Sequence, residues 1–177
     1  MAELSDRQRA MVEVWEKHLA YEFEAHDADA TVDTMVDDAY VNHVPTMTGG
    51  RGLEGLRQFY GQHFVTKLPP DFTSNLISRT VGDDQLVDEL FTEFTHTAEM
   101  DFLLPRVPPT GRRVAVGIVV VAGFRDGKLA HEHIYWDQAS VLVQLGLLHE
   151  GALPVVGRRS ADKLRDESIP FNELIGG

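Results

Sequence analysis

Cysteine is absent from the 177 residues, which excludes disulfides, thiolate metal sites and a cysteine nucleophile together. Such a chain suits a reducing compartment. Basic residues are scarce: 16 Lys and Arg stand against 28 Asp and Glu, a formal net charge of −12. Acidic side chains run along the whole sequence and would repel a polyphosphate, so no nucleic-acid partner is expected. No segment is apolar for long enough to span a bilayer, and the N-terminal MAELSDRQRAMVEVWEKH has no apolar stretch of signal-peptide type. The reading is a cytoplasmic protein without a membrane partner. Internal repeats and low-complexity runs are missing too, which removes solenoid and fibrous architectures.

What remains is ordinary for a folded domain: 43% hydrophobic and 25% charged residues, on a chain long enough for one core. Met11, Trp15, Leu19 and Phe23 recur every fourth position with Val12 beside them, predicting an amphipathic helix from Ser5, its cap, to about His26. A second helix is expected over Asp29 to Val36, a short strand over AYVNHV, then a TMTGGRG loop. Leu53, Leu56, Phe59, Tyr60 and Phe64 predict a third helix to Lys67, ended by Pro69 and Pro70.

Beyond that point the chain turns to β-branched and aromatic residues. FTSNLISRTV, LVDELFTEFTHTAEM, RVAVGIVVVAGFRD and KLAHEHIYWD, separated by turn signals, predict four hairpin-linked strands, the third buried on both faces. Helices followed by antiparallel strands indicate an α+β layer fold. The apolar residues of IPFNELI in the tail are expected to be buried, against the domain or a second subunit. The LLPRVPPTG loop is expected to expose Leu103 and Leu104 as a lid, a rim or a dimer contact.

His131, His133, Tyr135 and Asp137 alternate along the last strand and so share one face. A carboxylate in an apolar hollow is a better proton shuttle, because desolvation raises its pKa; Asp137 equally fits as the N-cap of the helix beginning at Ala139. His133 can hold a carboxylate ionised or steady an oxyanion. His96 lies on the same face as Leu90, Phe94 and Ala98, where a polar group needs a partner or ligand. His131, His133 and Asp137 also match an HxH-plus-carboxylate metal pattern, although that pattern belongs to all-β folds. Trp15, Leu19, Phe59, Tyr60 and Phe64 suit either a pocket wall or plain core. Trp136 is read as core.

Other patterns carry less. GRGLEG spells GxGxxG, but no strand runs straight into it and the later strands pair as hairpins, so the glycines make a turn. No serine sits in GxSxG.

The order of elements, NHVPTMTGGRGLEGLRQFY, and above all an Asp seven residues ahead of Gln-Leu-Gly in GKLAHEHIYWDQASVLVQLG resemble the SnoaL-like polyketide cyclases of the nuclear transport factor 2-like superfamily over residues 1–150. That resemblance implies a cone of three N-terminal helices on a curved, mainly antiparallel sheet, with an apolar pocket at its open end. It implies Asp137 as catalytic acid and base, and polar pocket residues from the first strand, here Asn42 and His43. The 151–177 extension and the density of histidines depart from the shorter cyclases. The expectation is a homodimeric, cofactor-independent cyclase, isomerase or lyase acting on a small hydrophobic or aromatic molecule. Asp137, His133 and His96 would be catalytic, and Tyr135, His43, Asn42, Trp15, Leu19, Tyr60 and Phe64 would bind substrate. A non-catalytic dimeric ligand-binding module and a His131/His133/Asp137 metal enzyme are the alternatives.

Overall fold

The computed structural model describes residues 3–149, 151 and 153–175. Ser5 starts the first helix, α1 (Asp6–Ala20), through a capping box: its hydroxyl accepts from the Gln8 amide while the Gln8 side chain accepts from the Ser5 amide. Met11, Trp15 and His18 form its buried stripe. The helix then widens into a π-helical turn (Tyr21–Ala25), which a left-handed His26 stops. Short α2 (Ala28–Asp33) gives way directly to strand β1 (Met35–His43), longer than the sequence suggested.

The expected TMTGGRG loop is a hairpin instead. Strand β2 (Thr48–Arg51) pairs antiparallel with β1 because Gly49 lies so close to Val41 that a Cβ would sit 1.9 Å from its carbonyl oxygen. Gly50 approaches the Gly55 carbonyl similarly, and Gly52 takes a φ of +68° as the chain enters α3 (Gly52–Phe59). A second π-helical turn (Tyr60–Phe64) and a 3₁₀ turn (Val65–Lys67) complete the third helical segment.

The four long strands follow as predicted: β3 (Thr73–Val81), β4 (Gln85–Thr95), β5 (Arg113–Arg125) and β6 (Lys128–Trp136). They complete a curved mixed sheet in the order β2-β1-β6-β5-β4-β3, antiparallel throughout except where β1 lies parallel to β6. Helices α1 to α3 cover its inner face, so the architecture is the expected α+β one. Along β4 and β5 the even-numbered residues face this core: Leu86, Phe94, Val116, Ile118 and Val120 are all buried. Each large apolar side chain buried there is worth about 1.5–3 kcal/mol.

The short helix α4 (Gln138–Gln144) follows β6, and α5 (Arg158–Asp162) turns back over the outer face of the sheet. Ala161 packs on Phe91 and Ala115, Arg158 reaches Glu93 at 2.8 Å, and Leu164 fills the space left by Gly117. The outer face of strand β5 is therefore covered near its start by α5 and at Gly123 by the His131 ring, while Val119 between them stays 37% exposed. In the rest of the tail Phe171, Leu174 and Ile175 are exposed, so within this chain they are not buried against the domain. Leu103 and Leu104, expected to be exposed, are each buried. No helix among the described residues is long and apolar enough to cross a membrane.

Candidate functional site

A cavity of about 70 Å³, several times what one water needs, lies between the helical layer and the inner face of the sheet. Its walls are predominantly apolar and aromatic: Trp15, Phe23, Phe64, Phe72, Phe102 and Trp136 among them. Leu19, Phe23, Phe72, Ser74 and Leu90 also line an adjoining surface groove with Glu16 and Glu24, so the mouth opens between the C-terminal end of α1 and strands β3 and β4. Both π-helical turns contribute to the wall, Glu22 and Phe23 from one, Tyr60 and Phe64 from the other. Such widened turns recur where a helix presents functional side chains.

The opposite wall comes from the 96–112 loop, which is pinned rather than loose. Thr46 and Thr48 donate to the Phe102 carbonyl at 2.9 and 2.7 Å, and Gln138 donates to that of Leu103 at 3.1 Å. Phe102 and Leu103 thereby become wall residues.

Polar groups at the inner end form one buried network. His18 Nε2 lies 3.0 Å from Glu22 Oε1, 3.2 Å from Glu132 Oε1 and 3.3 Å from the Tyr60 hydroxyl, which donates to the same Glu132 oxygen at 3.0 Å. On its other side His18 Nδ1 meets the Thr34 hydroxyl at 2.7 Å. That hydroxyl already donates to the Thr31 carbonyl, so it accepts from an Nδ1–H. With two carboxylate oxygens facing Nε2, both ring nitrogens carry protons and the ring is an imidazolium.

The charge balance follows. Burial alone would depress His18, but Glu22 and Glu132 outweigh it and raise its pKa to about 10. Burial pushes Glu22 above the ordinary carboxylate range despite His18. Glu132 lies below that range, because attraction and hydrogen bonding from His18 and the Tyr60 hydrogen bond overcome its own burial. The two carboxyl groups are thus displaced in opposite directions, Glu22 up and Glu132 down. Among the described residues every hydrogen bond or ion pair to Glu132 falls on Oε1, leaving Oε2 without a partner among them in a residue that lines the cavity. His18, Glu22 and Glu132 are also the one group among the described residues whose ligating atoms could gather round a metal ion, all within 4.8 Å of one another.

The face of β6 that the sequence analysis favoured points the other way. Glu132, Ile134 and Trp136 look into the cavity; His131, His133 and Tyr135 lie on the outer face of the sheet. There Tyr40 bonds His133 Nε2 at 2.7 Å and stacks on His131, and Tyr135 is 44% exposed. Asp137 is exposed and caps α4, accepting from the Ser140 amide at 3.0 Å and its hydroxyl at 2.6 Å. It neither lines the cavity nor joins the two histidines in a ligand set. Asn42 follows Tyr40 to the outer side and is absent from the lining. His96 is buried just past β4, where its Nδ1 accepts from the Thr110 amide at 3.3 Å and helps close the base of the loop. Of the expected binding residues, Trp15, Leu19, His43, Tyr60 and Phe64 do line the cavity, and Trp136, read as core, joins them. His18, Glu22 and Glu132 were not expected.

The profile of the SnoaL-like polyketide cyclase family matches residues 5–145. The chain belongs to this family. Among solved structures it is similar to a SnoaL-like polyketide cyclase from Jannaschia sp. CCS1, at 18% identity over 84% of this chain and 100% of that one, with a TM-score of 0.62. TsrD from Streptomyces laurentii matches at 20% identity over 82% and 100% of the two chains, TM-score 0.61. SalBIII, an epoxide hydrolase/cyclase-like enzyme of pyran ring formation in salinomycin, matches at 19% identity over 77% and 96%, TM-score 0.56. These likenesses establish the fold. No curated protein matches the chain in sequence.

Proposed function

We propose that this SnoaL-like protein binds a small, largely apolar molecule in the cavity and moves a proton on it, as a cofactor-independent cyclase or isomerase would. The observation that supports this reading is the pair of buried carboxylates at the inner end of an aromatic pocket, Glu22 raised by burial and Glu132 lowered by His18 and the Tyr60 hydrogen bond. Glu132, through Oε2, takes a proton from a carbon next to a carbonyl, and the bonding electrons move onto the carbonyl oxygen. Glu22 holds the proton that can be delivered to the developing enolate or to a second carbon, and the His18 charge keeps the anionic state within reach. Glu132 takes the part that the family resemblance assigned to Asp137.

Deuterium incorporation tests it. Wild-type protein incubated in heavy water with a panel of cyclic ketones and 1,3-diketones should catalyse exchange at the carbon next to the carbonyl, read by mass spectrometry. Glu132→Gln should lose at least about two orders of magnitude, the usual share of a positioned base. Ketones that bind without exchanging would make the pocket that of a carrier and overturn the enzymatic reading.

A further inference from the structure

His18 is held as a metal-ligating histidine is held. Its Nδ1–H donates to the Thr34 hydroxyl at 2.7 Å, and that hydroxyl donates on to the Thr31 carbonyl at 2.6 Å. The ring is thereby oriented from behind, with Nε2 aimed at two carboxylates. Nε2 stands 3.0 Å from Glu22 Oε1 and 3.2 Å from Glu132 Oε1, and the donor atoms of all three buried residues lie within 4.8 Å of one another. Zinc bonds of about 2.0–2.2 Å to nitrogen and oxygen set tetrahedral donors about 3.4 Å apart, so shifts of roughly a few tenths of an ångström separate this triangle from a ligand set. The i, i+4 spacing of His18 and Glu22 puts two of the three donors on one helical face, where the π-helical turn begins.

Charge and access fit as well. With the Nε2 proton gone the imidazole is neutral, and Glu22 and Glu132 supply the two negative charges that a buried dication needs. Both carboxylates line the cavity, so an ion has a route to them from its mouth. That mouth carries Glu24 and Glu16, the latter paired with Arg79 at 3.0 Å, on a chain of net charge −12 whose field draws cations inward. We infer that His18, Glu22 and Glu132 form a zinc-binding site, in which Zn²⁺ takes the place of the proton on His18 Nε2 and that proton leaves to solvent. The site stands apart from the function proposed above, but one consequence rests on that function. A Glu132 carboxylate engaged with zinc no longer takes a proton from carbon, so the ion is an inhibitor of the pocket.

Chelator-treated protein incubated with zinc chloride or cobalt chloride and then desalted should retain one ion per chain by elemental analysis, and the cobalt form should absorb in the visible. Thr34→Val, which removes only the support behind the ring, should weaken uptake by about 10- to 100-fold. Glu22→Gln, which removes a ligand with little change of shape, should weaken it further. The rival site is the pair His131 and His133, whose rings lie 4.8 Å apart on the outer face of the sheet. The double variant His131→Ala/His133→Ala should keep both the ion and its spectrum. Absence of stoichiometric uptake, or uptake that survives Glu22→Gln and disappears with the outer histidines, would overturn the site. Ketone exchange is a separate readout: bound zinc should lower it to the level of Glu132→Gln, and a chelator should restore it. Full zinc occupancy with exchange undiminished would overturn the inhibition. Failed uptake with exchange intact overturns the zinc site alone, whereas exchange absent from metal-free protein that still takes up zinc overturns the proposed function alone.

Discussion

His18 of α1 and Glu132 of β6 face each other across the two layers of the fold, Nε2 to Oε1 at 3.2 Å, with neither side chain exposed to solvent beyond 5%. The pair joins the helical layer to the sheet at the cavity's inner end. His18→Phe should therefore destabilise the protein by about 3–5 kcal/mol, since it leaves the buried Glu132 carboxylate with no counter-charge. Adding Glu22→Gln and Glu132→Gln should recover a large part of that loss. Urea denaturation of the single and triple variants measures the coupling, and simple additivity would show that the groups do not act as a unit.

The same ring makes stability fall on the alkaline side. Its pKa is about 10 in the folded protein and near the ordinary 6.5 in the unfolded chain, so its contribution is fully present below pH 6.5 and is lost as pH rises through about 10. Glu22, also raised, acts in the same direction. Urea midpoints should decline from pH 7 to 10 in the wild type and stay nearly flat in the triple variant.

His43 has the opposite sign. With a folded-state pKa of about 4, its contribution is present above pH 6.5 and disappears as pH falls through 4, at up to about 1.4 kcal/mol per pH unit. His43→Phe should flatten that acid limb, which a pH series of thermal melts would reveal.

Asp137→Ala should cost about 1 kcal/mol through the lost α4 cap and leave ketone exchange unchanged. Asp137→Asn, which retains a cap acceptor, should be nearly neutral in both measurements. Abolished exchange in a folded Asp137→Asn protein would return the proton-transfer role to that residue.

Asp88 ties the pocket wall to the sheet edge: Trp15 donates to it at 2.8 Å and Arg79 grips it at 2.7 and 2.9 Å. Asp88→Ala should destabilise by about 3 kcal/mol by orphaning a buried indole N–H and unpairing the guanidinium, whereas Asp88→Asn should cost less. Thermal unfolding followed by tryptophan emission distinguishes the two.

The layer order, the long strands and five of the pocket residues were legible because hydrophobic period and turn chemistry are local signals. The inward face of β6 was misassigned through one inference. Four polar residues of odd number drew attention, yet apolar Ile134 and Trp136 share the even parity, and burial decides which face turns inward. A lone acid on that apolar face, Glu132, was the stronger signal. His18, within the Met11–Trp15 stripe, and Glu22 one turn on were equally visible anomalies on a buried helical face. The reasoning applied to His96, that a polar group among apolar ones needs a partner, would have found all three. The two π-helical turns had no comparable signal, because a widened turn is set by tertiary packing rather than by composition.

The parallel seam between β1 and β6 governs how this protein is assembled. Val41 sits opposite Glu132 and His43 opposite Ile134, yet no tight turn can join strands that run the same way. Their register waits until nearly the whole polypeptide has been made and brought back on itself, an entropically late event. The hollow is thus among the last parts to form, and a ribosome-bound chain ending before β6 would carry most of the sheet but no place for a ligand.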